Sequence, residues 1–128
     1  MTIEQHVIDE IIRQAEAEAP NESCGYLLGR DGTVTENFPM ENTDHSPEHF
    51  SFSPKEQFAA LRYARAEGLS ILANWHSHPA SPSRPSAEDI RLALDPNIRY
   101  AILSLHEGIH LNSFCIRGGE VIDKEVHL

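Results

Sequence analysis

The segment Trp75-His76-Ser77-His78-Pro79-Ala80-Ser81-Pro82-Ser83-Arg84-Pro85-Ser86-Ala87-Glu88-Asp89 leaves the chain little choice of local structure. Ile71, Leu72 and Ala73 lead into it as an apolar run, which predicts a strand over Leu69 to Ser77. Pro79 lacks a backbone donor and ends that strand. Pro82 and Pro85 stiffen the loop, and Ser86 opens a short helix to Leu94 that Asp95-Pro96 stops. Alternate residues of a strand share a face, so His76 and His78 can point at one ion. Asp89, in the first turn of the helix, adds a carboxylate. Two imidazoles and a carboxylate suit zinc and leave a fourth position for water. Ser86 and Asp89 also form the Ser-x-x-Asp of a capping motif, and the helix dipole favours an acid there in any case. Glu88 offers an equivalent carboxylate beside it.

The rest of the chain supplies a sheet for this segment. Ile3, Val7, Ile8, Ile11, Ile12 and Ala15 recur at helical spacing, which predicts a helix over 3–19 stopped by Pro20-Asn21. Cys24 to Gly29 reads as a buried strand, Asp31-Gly32 as a hairpin turn and Thr33 to Phe38 as the returning strand. Residues 39–48 are polar and turn-rich, a loop; Phe50 and Phe52 alternate with serines, a short strand at most. Ser53-Pro54-Lys55-Glu56 has the form of a capping box with proline at the first helical position. Its helix runs to Glu67, where Gly68 ends it. Three strands follow, over about 98–105, 109–117 and 120–126, separated by Glu107-Gly108 and Gly118-Gly119. Connections so short make this part antiparallel, and the whole a mixed α/β fold. At 128 residues the chain is expected to form one domain, 1–128, with one core.

Two further strings imitate zinc-hydrolase motifs. His106-Glu107-Gly108-Ile109-His110 matches HExxH, which works only on a helix, where residues four apart share a face. Its flanks alternate like strands and a glycine sits at its centre, so it reads as a hairpin. His45-Ser46-Pro47-Glu48-His49 matches HxxEH, but Pro47 and a polar approach place it in a solvated loop.

A formal charge of −10 disfavours nucleic acid as a partner, because phosphate backbones repel it. Cys24 and Cys115 have no CxxC spacing, no basic and apolar leader opens the chain, and no apolar run is long enough to span a bilayer. A cytoplasmic setting is expected.

His76-Ser77-His78-Pro79, six residues, Ser86, two residues and Asp89 resemble the JAMM motif of the MPN-domain metalloproteases. Pro20-Asn21-Glu22-Ser23-Cys24-Gly25, after the first helix, is similar to the segment that carries the family's upstream glutamate in compact bacterial members. The resemblance implies the MPN, cytidine-deaminase-like fold, with a mixed sheet flanked by helices. It implies one Zn2+ ion with a catalytic water, metal ligands His76, His78 and Asp89, Glu22 as general base, and Ser86 as donor to the developing oxyanion. Compact members of this kind act as proteases or isopeptidases beside the C-terminal Gly-Gly of ubiquitin-like sulfur-carrier proteins. Others serve phage tails or cell-wall peptides, and some are non-catalytic scaffolds that bind proteins. The long insertions of eukaryotic members are absent or reduced to 39–50, so linkage-specific deubiquitination does not carry over.

Overall fold

The computed structural model describes residues 1–128 and builds them into one mixed sheet with helices on both faces. In chain order the elements are β1 (Thr2–Ile3), α1 (Gln5–Glu18), β2 (Cys24–Arg30), β3 (Thr33–Met40), α2 (Pro54–Glu67), β4 (Ser70–His78), α3 (Ala87–Leu92), β5 (Arg99–Ser104), β6 (His110–Arg117) and β7 (Glu120–Val126). The strands lie in the order β1-β3-β2-β4-β5-β6-β7. β1 runs parallel to β3 and β4 parallel to β5. All other pairs are antiparallel, including the β5-β6-β7 meander expected from its short turns. None of the helices is long and apolar enough to cross a membrane.

Strand alternation divides the interior. On one face α1 presents Val7, Ile8, Ile11 and Ala15 to Leu27, Ala73, Trp75, Ala101, Leu103 and Leu111. Each fully buried aliphatic side chain there contributes about 1.5–3 kcal/mol. Trp75 is fully buried in this layer, a core aromatic rather than a wall of the site, and its indole Nε1 donates to Asn37 Oδ1 at 2.9 Å. Gly25 lies opposite Trp75; a Cβ there would stand 2.7 Å from that nitrogen and 2.5 Å from the Phe38 carbonyl. The glycine is what lets β2 close against the indole. The opposite face carries Cys24, Tyr26, Asn74, His76, His78, Tyr100 and Ile102, and α2 and α3 lie over it.

The differences from the sequence expectations have local causes. The first helix begins at Gln5 rather than residue 3, because Thr2 and Ile3 pair with Thr33 and Val34 as a parallel edge strand. Phe50 and Phe52 form no strand. Asn42 Oδ1 instead accepts the Ser51 N–H at 3.3 Å, so the segment folds back on its own loop. Ser53 caps α2 as expected, its Oγ accepting from Glu56 N at 3.4 Å. The box is not closed, however, because the Glu56 carboxylate accepts from the Glu41 backbone N–H at 3.0 Å. That bond ties the loop to α2.

Candidate metal centre

β4 leaves the sheet at its C-terminal end with His76 and His78 on one face and Ser77 on the other. Ser77 fixes the strand end: its N–H donates to the Ser23 carbonyl at 2.9 Å, and its Oγ accepts the Ser23 N–H at 2.8 Å. The loop beyond Pro79 is fastened to β5 and β6. Ser104 Oγ donates to the Ser81 carbonyl at 2.6 Å, and Ser83 Oγ donates to the Ile102 carbonyl at 2.6 Å while accepting the Asn112 N–H at 3.1 Å. This loop delivers α3 with its capping box complete. Asp89 N donates to Ser86 Oγ at 3.0 Å, and Ser86 N donates to Asp89 Oδ2 at 2.9 Å.

The three predicted ligand side chains meet at that point. His76 Nε2 and His78 Nε2 are 3.1 Å apart, and Asp89 Oδ2 lies 3.2 Å from the first and 3.1 Å from the second. Ligand bonds of about 2.0–2.1 Å in a tetrahedral zinc site put donor atoms about 3.3 Å apart, so this triangle is of the size needed to hold a metal ion. His78 Nδ1 sits 2.9 Å from the Pro82 carbonyl, which fixes the proton on Nδ1 and leaves the Nε2 lone pair facing the triangle. The Phe50 ring stacks on His76 with centroids 4.6 Å apart. Both imidazoles are buried. Burial holds His76 below its ordinary range against the pull of Asp89. Burial acts likewise on His78 but is outweighed by Asp89 and the Pro82 carbonyl, so His78 lies above it. Burial alone would raise the Asp89 carboxyl; the two imidazoles outweigh it and hold the group ionised, well below the carboxylate range.

Glu22 joins them through the sheet. Cys24 pairs with His76, and the Ser23–Ser77 bonds continue that register, which sets Glu22 across from His78 on the same face. Its side chain is buried, and Oε1 has no hydrogen-bond partner. Burial pushes its carboxyl up to about 8, reinforced by Asp89, Glu88 and Glu48 and opposed by His78. A buried, unpartnered carboxyl whose proton affinity lies near neutrality, beside a triangle of metal-donor atoms, is suited to passing a proton.

The other histidines stay apart from the triangle. His106 and His110 flank the Glu107-Gly108 turn of the β5-β6 hairpin, both residues of which have positive φ. His45 is exposed on its loop. His49 is exposed too, but it lines the cavity beside His76, with Nδ1 3.1 Å from Asp44 Oδ2. Glu88 lines the same cavity and is not part of the triangle. Asn42 is what the sequence reading passed over. Its Nδ2 donates to the Glu22 carbonyl and to the His49 carbonyl, each at 3.0 Å, binding the 41–52 loop to the glutamate. An asparagine in a polar, turn-rich stretch is a turn former, and that was its only visible signal.

A family model described as prokaryotic homologs of the JAB domain matches residues 4–115. A CysO-cysteine peptidase of Mycobacterium tuberculosis is 26% identical over 132 residues, spanning 100% of this chain and 90% of that protein. A desampylase of Pyrococcus furiosus is 32% identical over 90 residues, spanning 70% of this chain and 64% of that protein. The solution structure of a protein from Desulfitobacterium hafniense superposes with a TM-score of 0.89 at 44% identity, over 99% of this chain and 90% of that one. A JAB1/MPN domain protein from Archaeoglobus fulgidus superposes over the full length of both chains with a TM-score of 0.63; at 21% identity it shows the fold alone.

Proposed function

The chain belongs to the family of prokaryotic homologs of the JAB domain, and from that premise we propose that it is a zinc metallopeptidase. Its reaction is hydrolysis of a peptide or isopeptide bond next to the C-terminal Gly-Gly of a ubiquitin-like sulfur-carrier protein. Residues 1–128 would act as one catalytic domain. The observation that carries it is the pairing of a triangle of donor atoms, mutually 3.1–3.2 Å apart, with the buried and unpartnered Glu22. Relatives named as a peptidase and a desampylase support hydrolysis over a scaffold role. They also support the choice of a small protein conjugate as substrate.

His76, His78 and Asp89 would hold the zinc. Bound there, the ion would supply Lewis acidity, which would make water a nucleophile near neutral pH and polarise the scissile carbonyl. Glu22 accepts the proton of the attacking water as the C–O bond forms and then gives it to the departing nitrogen as the amide C–N bond breaks, so the protons balance. Ser86 Oγ accepts from Asp89 N with a lone pair, which leaves its own hydrogen free to donate to the carbonyl oxygen as charge develops there. Such a donor is worth about 3 kcal/mol in the transition state. Capping and catalysis are therefore compatible uses of one hydroxyl.

The test is to incubate zinc-loaded protein with a sulfur-carrier protein extended beyond its Gly-Gly and to read the products by mass spectrometry. Trimming back to Gly-Gly is the expected result. An intact carrier, with cleavage of a cell-wall peptide instead, overturns the substrate assignment.

A further inference from the structure

The cavity beside His76, of about 210 Å3, is lined by a second imidazole, that of His49, and its ring is fixed. His49 Nδ1 lies 3.1 Å from Asp44 Oδ2, an oxygen that also accepts from Ser51 Oγ at 2.8 Å. A carboxylate only accepts, so the proton of the neutral ring sits on Nδ1 and the lone pair on Nε2. The backbone is held too. The His49 carbonyl accepts from Asn42 Nδ2 at 3.0 Å, and Phe50 beside it stacks on His76. Asp44 is not part of the cavity wall, whereas the half-exposed His49 ring is. Nε2 has no partner within the chain. It is an oriented acceptor at the rim of the cavity, and the proposed reaction gives it no task.

Its place along the sheet decides which part of a substrate it meets. Glu22 stands across from His78, and Cys24 across from His76. The cavity is walled by His76, Asp89 and Ile102 and not by Glu22 or His78, so it runs from the triangle away from the glutamate. In the reaction proposed above, on which this inference rests, Glu22 serves the departing nitrogen. The acyl chain therefore leaves the triangle on the cavity side. That chain ends in Gly-Gly, which has no side chains and can be recognised only through its peptide groups. Phe50, Leu92 and Ile116 offer apolar wall, and Gln57 Nε2 already donates to the Tyr26 hydroxyl at 3.1 Å. We propose that His49 is a substrate-binding residue whose Nε2 accepts a hydrogen bond from a peptide N–H of the glycine pair on the acyl side, with Asp44 as the residue that positions it.

The probes are three sulfur-carrier proteins made by chemical ligation, each extended beyond the glycine pair by a single alanine. One keeps both glycines. In the other two, one glycine or the other is replaced by glycolic acid, which turns a peptide N–H into an ester oxygen and adds no bulk. Release of alanine is followed by mass spectrometry. With zinc-loaded wild type, one of the two replacements is expected to lower kcat/KM about three- to tenfold relative to the all-glycine carrier. His49→Phe is expected to raise KM for the all-glycine carrier by a similar factor with kcat within about twofold, and to process that carrier and the glycolic one at equal kcat/KM. A loop merely loosened by the change would slow both carriers and keep their ratio, and that result overturns the proposal. So does a wild type that releases alanine from all three carriers at equal rates, which leaves the peptidase reading standing. Zinc content and circular dichroism report the fold, and His49→Ala makes the same comparison should the phenylalanine disturb it. Failure of the wild type to release alanine from the all-glycine carrier overturns the proposed function as well.

Discussion

Ser86 and Asp89 clasp each other at the start of α3, and Asp89 Oδ2, which accepts the Ser86 N–H at 2.9 Å, is also the oxygen that closes the triangle with His76 and His78. Cap and candidate metal ligand are one atom. Replacing Ser86 therefore acts on two quantities that can be separated. Ser86→Ala is expected to lower stability by about 1 kcal/mol through the lost cap, read by denaturant unfolding of the metal-free protein. It is expected to lower kcat by about a hundredfold or more through the lost donor. A kcat that tracks zinc occupancy alone would reduce Ser86 to its capping role.

Glu22→Gln keeps the shape of the side chain and removes its basicity. Zinc stoichiometry by elemental analysis is expected to stay at the wild-type level, while cleavage of the extended carrier falls by about 10²–10⁴-fold. Cleavage persisting in the fully loaded variant would show that another group serves as base.

Metal-free protein should also report Glu22 through stability. The unfolded chain loses this proton near the ordinary 4.5, and the folded one holds it to about 8. Between those values the folded state binds more protons. The stabilising contribution is complete below about pH 4.5 and is lost as pH rises to about 8, at up to about 1.4 kcal/mol per pH unit. His76 titrates in wild type and variant alike, and the change also removes the pull of Glu22 on His78, so the difference reports the glutamate together with its coupling to that imidazole. Melting temperatures in chelator are expected to fall more steeply between about pH 5 and pH 8 for wild type than for Glu22→Gln. Parallel curves would mean that Glu22 is not held protonated.

How far the site could be read from the sequence depended on how local each part was. His76, His78, Ser86 and Asp89 lie within one strand-loop-helix unit, where strand alternation and the cap fix their directions. Glu22 is remote, and only the resemblance placed it; its partnership with His78 follows from the Ser23–Ser77 register, which no local pattern encodes. Asn42 was invisible for the same reason. An asparagine's meaning is set by what its amide reaches, and this one spans a loop that closes only once the sheet has formed.

The two motif look-alikes allow a negative control. His106 and His110 sit at a hairpin, outside the triangle. The double change His106→Ala with His110→Ala is expected to leave zinc stoichiometry and cleavage of the extended carrier within about twofold of wild type, since such surface changes cost about 0.5 kcal/mol or less. Loss of zinc would make the HExxH string a ligand source after all.

Asn42 offers the most informative change away from the triangle. Its amide spans the Glu22 and His49 carbonyls, and its Oδ1 accepts the Asp44 N–H at 3.0 Å and the Ser51 N–H at 3.3 Å. Asn42→Ala deletes these four bonds and a longer one to the Ser46 carbonyl at 3.5 Å, and leaves the buried Glu22 carbonyl without this donor, a loss of about 1–3 kcal/mol. The released loop carries Phe50, which stacks on His76 and walls the cavity. Zinc binding should survive, because no ligand depends on the loop for its backbone. KM for the extended carrier should rise, and amide exchange should quicken over 42–52 and at Glu22 while β4 stays protected. Exchange that quickens across β4 as well would mean that Asn42 supports the sheet itself rather than fastening the loop to it.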